Sequence, residues 1–192
     1  MLCIIVVMDL IDKCSNYKIL YEKYLNQMYS YGMAFGLEED ILYDFIHDVF
    51  LHLFEHQNEL GDQKYAKYYL FKCLKNRILL YKRQEVNMEF VEDINDIPFA
   101  VVTSGLDIIE EKEEQKELTR QIDGMMRCLT NRQREAVYLR FMQELEYDEI
   151  AIILQLTPKG TRKLVYRAID RIREQYGITF TYLFLYHHFF LF

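Results

Sequence analysis

The sequence predicts an all-α protein made of two small helical domains joined by an acidic linker. Apolar residues recur at helical spacing over long stretches, and the alternation typical of strands is almost absent. Only two prolines and seven glycines interrupt the 192 residues, of which 51% are hydrophobic. Acidic and basic residues fall into separate blocks along the chain. We therefore expect two packed helical units that each contain a basic segment, joined by a segment that is acidic.

The charge blocks bear directly on function. The net charge of −7 argues against nucleic-acid binding if it is taken as a single number. However, residues 63–83 carry seven Lys or Arg and no acid, and residues 157–173 carry six against Asp170. Residues 85–117 instead carry eleven acids. Two basic segments flanking an acidic one leave nucleic acid as a plausible ligand of each unit.

Helical periodicity predicts three helices in a first domain, residues 9–85. The helices are expected near residues 17–31, 38–55 and 64–83, with a break around Gly32 and Gly36. In the second helix, apolar residues from Ile41 to Phe54 follow the i, i+3, i+4, i+7 rule. The opposite face of that helix carries Asp44, His47, Asp48 and Leu51. Three such helices suffice for a small bundle.

The chain between and beyond the domains has a different composition. Residues 86–115 lose the helical periodicity, contain Pro98 and Gly105, and predict an acidic linker whose last part begins a helix at about Asp107. After a second domain at residues 116–177, residues 178–192 form a hydrophobic tail. Because roughly 20 residues are needed to cross a bilayer, we expect this tail to pack against the protein or a partner.

Capping signals define the helices of the second domain. Thr130 and Gln133 form a T-x-x-Q capping box that opens a helix through Phe141. A short helix is predicted over residues 147–154. Thr157 then caps a last helix, with Pro158 in its first turn, and Gly177 is expected to end it.

The last two helices have the pattern of a helix-turn-helix. Ile150, Ala151 and Leu154, together with Leu156 and Val165, are expected to hold the first of them against the core. The second helix is basic and would enter the major groove of DNA, where Arg and Lys reach guanine acceptors. Its predicted base-reading residues are Arg162, Lys163 and Tyr166, and its predicted phosphate contacts are Lys159, Arg167 and Arg171. An amphipathic helical hairpin with a solvated basic face remains the alternative.

The order of motifs resembles a known family. Leu129-Thr130-x-x-Gln133-Arg134-Glu135, followed by Tyr147-x-Glu149-Ile150-Ala151 and Tyr166-Arg167-Ala168-Ile169, resembles region 4 of RNA polymerase sigma factors. In the first domain, Leu20-Tyr21-Glu22-x-Tyr24, residues 44–51 and Tyr69-Leu70-Phe71-x-x-x-Lys75-Asn76-Arg77 resemble region 2. The extracytoplasmic-function (ECF) group of the sigma-70 superfamily keeps only these two regions.

The resemblance implies a function and a set of site residues. The protein would bind core RNA polymerase through its β′ and β subunits, read the −10 and −35 promoter elements and melt DNA. The surface for β′ would be Asp44, His47, Asp48 and Leu51. The −10 element would be held by Tyr65, Tyr68, Lys72, Lys75, Asn76 and Arg77, with rings stacking on bases and cations on phosphates. The −35 element would be read by the basic helix of the second domain.

The resemblance also implies further partners and some local departures. An anti-sigma protein is expected as a regulator, and the acidic linker would thread into polymerase channels, although a solvated tether is the alternative. The family usually has glycine where Glu144 and Gln155 stand, a serine-like cap at Glu146 and threonine at Gly160. These positions place the turn geometry in question, since a left-handed residue other than glycine costs about 1 kcal/mol.

Other classes of protein fit less well. No Gly-rich phosphate loop, Gly-x-Ser-x-Gly or His-Glu-x-x-His motif is present, so we expect no enzymatic activity, small-molecule substrate or cofactor. Asp48, His52 and His56 share one helix face, but an exposed polar stripe explains them better than a metal site. The four scattered cysteines have no CxxC pair and are typical of a cytoplasmic protein. A stand-alone helix-turn-helix transcriptional regulator remains the main alternative.

Overall fold

The computed structural model describes the backbone of residues 2–55, 66–85, 97–100 and 122–190. Within those ranges it describes the side chains from residue 18 to residue 177, except that of Glu85. Every regular element in the described residues is a helix, as predicted. The helices are α1 (Leu2–Met33), α2 (Glu39–Glu55), α3 (Ala66–Glu85), α4 (residues 122–127), α5 (Asn131–Val137), a π-helical turn (Tyr138–Met142), α6 (Tyr147–Leu154) and α7 (Pro158–Phe190).

The first three helices form the N-terminal module, and α1 differs most from its prediction. It begins at Leu2 rather than near Tyr17, and it passes through Gly32 before the chain turns. Gly32 is buried, and a Cβ added there would lie within 2.9 Å of Leu42 Cδ2. Gly32 therefore lets α1 approach α2 closely, whereas Gly36, at φ 66°, supplies the turn. The predicted break around Gly32 and Gly36 is confirmed, because α1 ends at Met33 and the chain turns through Gly36.

Regular spacing of apolar residues explains the packing of this module. In α2, the buried residues Leu42, Ile46, Val49, Phe50 and Leu53 form one continuous stripe that packs against α1 and α3. Fully burying each side chain of this kind stabilises the fold by about 1.5–3 kcal/mol. The opposite face of α2 is consequently left for solvent or a partner.

The second module has the predicted caps. Thr130 precedes α5 in extended conformation, its side chain accepts the Gln133 N–H at 3.3 Å, and the Gln133 side chain accepts the Thr130 N–H at 3.2 Å. The predicted capping box is confirmed. The predicted helix through Phe141 changes hydrogen-bond pattern at Tyr138 and ends as a π-helical turn.

Two residues in the turns around α6 have left-handed backbones. Glu144 has φ 54° before α6, and Gln155 has φ 53° and ψ 48° after it. These are the two positions at which the resembled family usually has glycine. Both side chains are exposed, so no burial compensates for the strain at either position.

We expect the substitution Gln155→Gly to raise the free energy of unfolding by about 0.5 kcal/mol. It removes about 1 kcal/mol of left-handed strain, part of which is offset by the extra entropy of glycine in the unfolded chain. Urea denaturation followed by circular dichroism measures the change. The matched control is Gln175→Gly in α7, where glycine should lower stability by about 0.5–1 kcal/mol. Equal effects of the two substitutions would contradict the assignment of strain.

Gly177 ends the first of two helical segments that together make up α7. Its φ of 81° and ψ of 167° are not helical, but helix resumes beyond it and reaches Phe190. The predicted helix end at Gly177 is therefore confirmed, whereas the second helical segment beyond it was not predicted. The side-chain packing predicted for the tail lies outside the described residues, as do the acidic segment 101–121 and the start of the third predicted helix, Lys64 and Tyr65.

The two modules are packed against each other. Helix α3 contacts α6, and one buried cluster combines residues of α1 to α3 with Ala136, Leu139, Ile150 and Val165. Phe99, from the segment between the modules, is 1% exposed within this cluster. Among the described helices, none is both long and apolar enough to cross a bilayer.

Candidate nucleic-acid interface

The basic face of the N-terminal half of α7 is exposed to solvent. Each of the residues predicted to contact DNA there is exposed, and Tyr166 has 56% of its surface accessible. The set is Lys159, Arg162, Lys163, Tyr166, Arg167 and Arg171. Arg171 Nη1 lies 3.4 Å from Gln133 Oε1, a weak contact that ties its guanidinium toward α5. The other five form one exposed surface of four cations and Tyr166.

The opposite face of α7 explains why the basic face is held outward. Thr161 is 0% exposed, and its hydroxyl donates to the Thr157 carbonyl at 3.2 Å. Thr157 Oγ1 in turn accepts the Gly160 N–H at 3.1 Å, which confirms the predicted cap. Ile150 and Val165 meet in the core beneath the turn, as predicted. This arrangement is a helix-turn-helix with its second helix presented to solvent.

Tyr147 was not predicted as a site residue, but it contacts two arginines at the edge of the basic face. The Tyr147 ring lies 4.8 Å from the Arg140 guanidinium and 5.3 Å from that of Arg162. The negative face of the Tyr147 ring attracts both guanidinium groups, and this attraction restrains the two arginine side chains. Tyr147 thus positions Arg162 near the N-terminal end of α7. The helical period alone marks Tyr147 only as the start of α6.

In the N-terminal module, the aromatic residues of α3 lie partly in the core and partly near the surface. Phe71 is 0% exposed and its ring lies 5.0 Å from that of Tyr31. Tyr68 and Tyr69 are half-buried, and the Tyr69 hydroxyl lies 3.2 Å from His52 Nδ1. Asn76 and Arg77 are exposed and Lys72 is half-buried. Tyr65, the first residue predicted for the −10 element, lies outside the described residues.

Lys75 differs from the other predicted DNA contacts because it is buried. Its Nζ lies 2.8 Å from Glu135 Oε1 and 2.9 Å from Oε2, with only 8% and 7% of the two side chains exposed. Glu135 also accepts a hydrogen bond from the Tyr31 hydroxyl at 2.6 Å. Burial, with the nearby Glu135 carboxylate, raises the pKa of Tyr31 well above its ordinary value. In this conformation Lys75 is directed toward the second module and not toward solvent.

The face of α2 predicted for polymerase is mostly open. Asp44, His47 and Leu51 are exposed, whereas Asp48 forms an ion pair with Arg77 of α3. The Arg77 guanidinium also lies 5.3 Å from the Phe45 ring. Because both charged side chains are more than 40% exposed, the pair contributes at most about 1 kcal/mol. It nevertheless joins the predicted polymerase surface to the predicted −10 surface.

A metal site on α2 would need Asp48, His52 and His56 together. The described residues contain no group of three His, Cys, Asp or Glu side chains placed to hold a metal ion. His56, one of the three residues that share a face of α2, lies outside the described residues. His52 instead contacts Tyr69.

Fold and surface together define a class. Two helical modules, one carrying an exposed basic helix-turn-helix, describe a DNA-binding transcription protein. Residues 119–172 match the family model "Sigma-70, region 4". The chain is also similar to the "ECF RNA polymerase sigma factor SigM" of Bacillus subtilis (strain 168), at 22% identity over 158 residues, covering 82% of this chain and 93% of that protein. The two matches support an RNA polymerase sigma factor of the extracytoplasmic-function group.

Proposed function

We propose that this sigma factor reads the −35 element with α7 and captures the melted −10 element with α3 and the residues before it. The coarse function, directing promoter recognition in transcription initiation, follows from the family. The observation that carries the finer assignment is the uninterrupted exposed cationic face at the start of α7. The major groove admits an α-helix, and Arg and Lys side chains on such a helix reach guanine acceptors there.

The −10 assignment draws on the chemistry of α3. Single-stranded bases stack on aromatic faces while lysines neutralise their phosphates. The half-buried Tyr68 and Lys72 and the exposed Asn76 and Arg77 lie along one helix, with Tyr65 just before it. We include Lys75 in this surface, and its use there requires release from Glu135.

The remaining proposals concern partners. The family implies core RNA polymerase and promoter DNA. We assign the β′ contact to Asp44, His47, Asp48 and Leu51, and we place the other polymerase contact on the β subunit. We further propose a cytoplasmic location and control by an anti-sigma protein, with the acidic linker entering a polymerase channel.

A reconstitution experiment tests the function as a whole. Core RNA polymerase is incubated with the full chain and a library of genomic promoter fragments, and transcript start sites are mapped. The proposal requires the chain to co-purify with core polymerase and to confer initiation at a defined set of sites. A stand-alone regulator would bind the DNA without polymerase and would not give core enzyme new start sites. That outcome would reject the proposal.

Lys159 and Arg162, which lie about one turn apart on the basic face of α7, are expected to behave differently. Arg162→Ala should weaken binding to the −35 sequence and relax base preference at one position by about 1–3 kcal/mol. Lys159→Ala should weaken all sequences alike, because phosphate contacts carry no base information. Fluorescence anisotropy on the specific duplex and on a scrambled one measures both effects. If both variants lose the same affinity on both duplexes, Arg162 does not read a base.

A further inference from the structure

Leu80 is the most exposed apolar residue of α3, with 56% of its surface accessible. The other large aliphatic and phenylalanine side chains of this helix are at most 5% exposed, namely Leu70, Phe71, Leu74, Ile78 and Leu79. A single exposed leucine is ordinary on a protein surface. What Leu80 can bind therefore depends on the side chains that surround it.

The packing of its two chain neighbours keeps Leu80 outward. Leu79 is 5% exposed, and the Tyr81 ring packs edge-on against the Phe45 ring of α2 at 5.5 Å. One turn earlier, the Arg77 guanidinium lies 5.3 Å from the same Phe45 ring. Because successive side chains are about 100° apart around an α-helix, Leu80 lies between its two covered neighbours on the opposite side of the helix.

Two cations and two amides surround Leu80 on the helix surface. Asn76 and Arg77 lie one turn before it, Arg83 and Gln84 lie one turn after it, and all four are exposed. Side chains three and four positions apart are neighbours on a helix, so these four form a polar rim around an apolar centre. Contact sites have this anatomy, with an apolar centre that loses water and a rim that stays polar.

The charge around Leu80 favours an anionic partner that also has an apolar surface. Residues 63–83 carry seven Lys or Arg and no acid. Lys72, Asn76 and Leu80 follow one another at intervals of four residues, so Leu80 continues the face of α3 proposed for the −10 strand. A nucleotide of an unpaired strand has both features, because it joins an anionic phosphate to a base whose face is free to stack.

We propose that Leu80 packs against the face of an unpaired base of the melted −10 strand, beside the nucleotide held at Asn76. The inference rests on the proposed use of α3 for that strand. The contact is to a base because a leucine side chain has no polar atom to offer a phosphate. Apolar side chains that insert between base steps keep those bases unstacked, so Leu80 extends the capture surface by one apolar contact.

The test compares single strands with and without bases. The full chain is titrated, without polymerase, into a labelled twelve-nucleotide thymidine strand and into an abasic strand of the same length that keeps the phosphates. Fluorescence anisotropy gives both affinities. Leu80→Ala removes the apolar contact and Leu80→Met retains it. The matched control is Ile19→Ala, because Ile19 on α1 is 57% exposed. Circular dichroism confirms that each variant is folded.

We expect Leu80→Ala to weaken binding to the thymidine strand about fivefold, since the lost carbon atoms no longer bury apolar surface against a base. Its affinity for the abasic strand should not change. Leu80→Met and Ile19→Ala should match the unaltered protein on both strands, because the first keeps the apolar volume and the second lies on another helix.

Three results would overturn the proposal: normal binding of the thymidine strand by Leu80→Ala, an equal loss on both strands, or equal affinity of the unaltered protein for the two strands. A loss of affinity for core polymerase alone would also overturn it, because it would place Leu80 in a protein contact. Failure of the sigma-factor function is separate. It would appear as absence of promoter-specific initiation by the unaltered protein with core polymerase.

Discussion

Replacing both Tyr65 and Tyr68 with alanine is expected to reduce open-complex formation on duplex promoters by at least about thirtyfold. Each ring that stacks on an unpaired base contributes about 1–3 kcal/mol, so two rings supply about 2 kcal/mol or more toward holding the melted strand. Permanganate footprinting measures the open complex. On a template whose −10 region is already unpaired, the variant should recover much of the loss, because melting no longer has to be driven.

The matched comparison for this variant is Asp48→Ala. It should lower affinity for core polymerase on both templates and should leave melting by the assembled holoenzyme largely intact. Losing the exposed pair with Arg77 changes stability by at most about 1 kcal/mol, so any larger loss in a core-binding titration reports the docking surface. If the tyrosine variant opens duplex promoters normally, those rings serve only to pack the module.

Replacing Phe71 with alanine is expected to lower the free energy of unfolding by about 3–5 kcal/mol. Its side chain is 0% exposed and lies against Tyr31, so truncation leaves a cavity in the shared core. Urea denaturation of the full chain measures the change.

Phe71→Leu is the control for this prediction. Leucine keeps most of the apolar volume, and its cost should stay below about 1.5 kcal/mol. A stacking residue would instead show little change in stability and a loss of DNA binding in both variants. That result would move Phe71 from the core to the DNA surface and contradict its burial.

The sequence alone determined the helical architecture and the C-terminal helix-turn-helix. These features depend on local signals: apolar spacing along α2, the Thr130–Gln133 box, and the Thr157 cap with Pro158. The strain at Gln155 was likewise predictable, since a turn between two such helices requires a left-handed residue. Local hydrogen bonds and periodicity act over a few residues, so they can be read directly from the chain.

Only the tertiary structure decided what Lys75, Gly32 and Phe99 do. Lys75 lies in a basic run and is predicted to contact the −10 element, but its partner Glu135 stands 60 positions away. Gly32 lies at the predicted break, but the close approach that it allows depends on Leu42 of another helix. Phe99 lies in a segment without periodicity, and its burial requires both modules at once. Contacts between distant residues depend on how the modules pack, which no local pattern records.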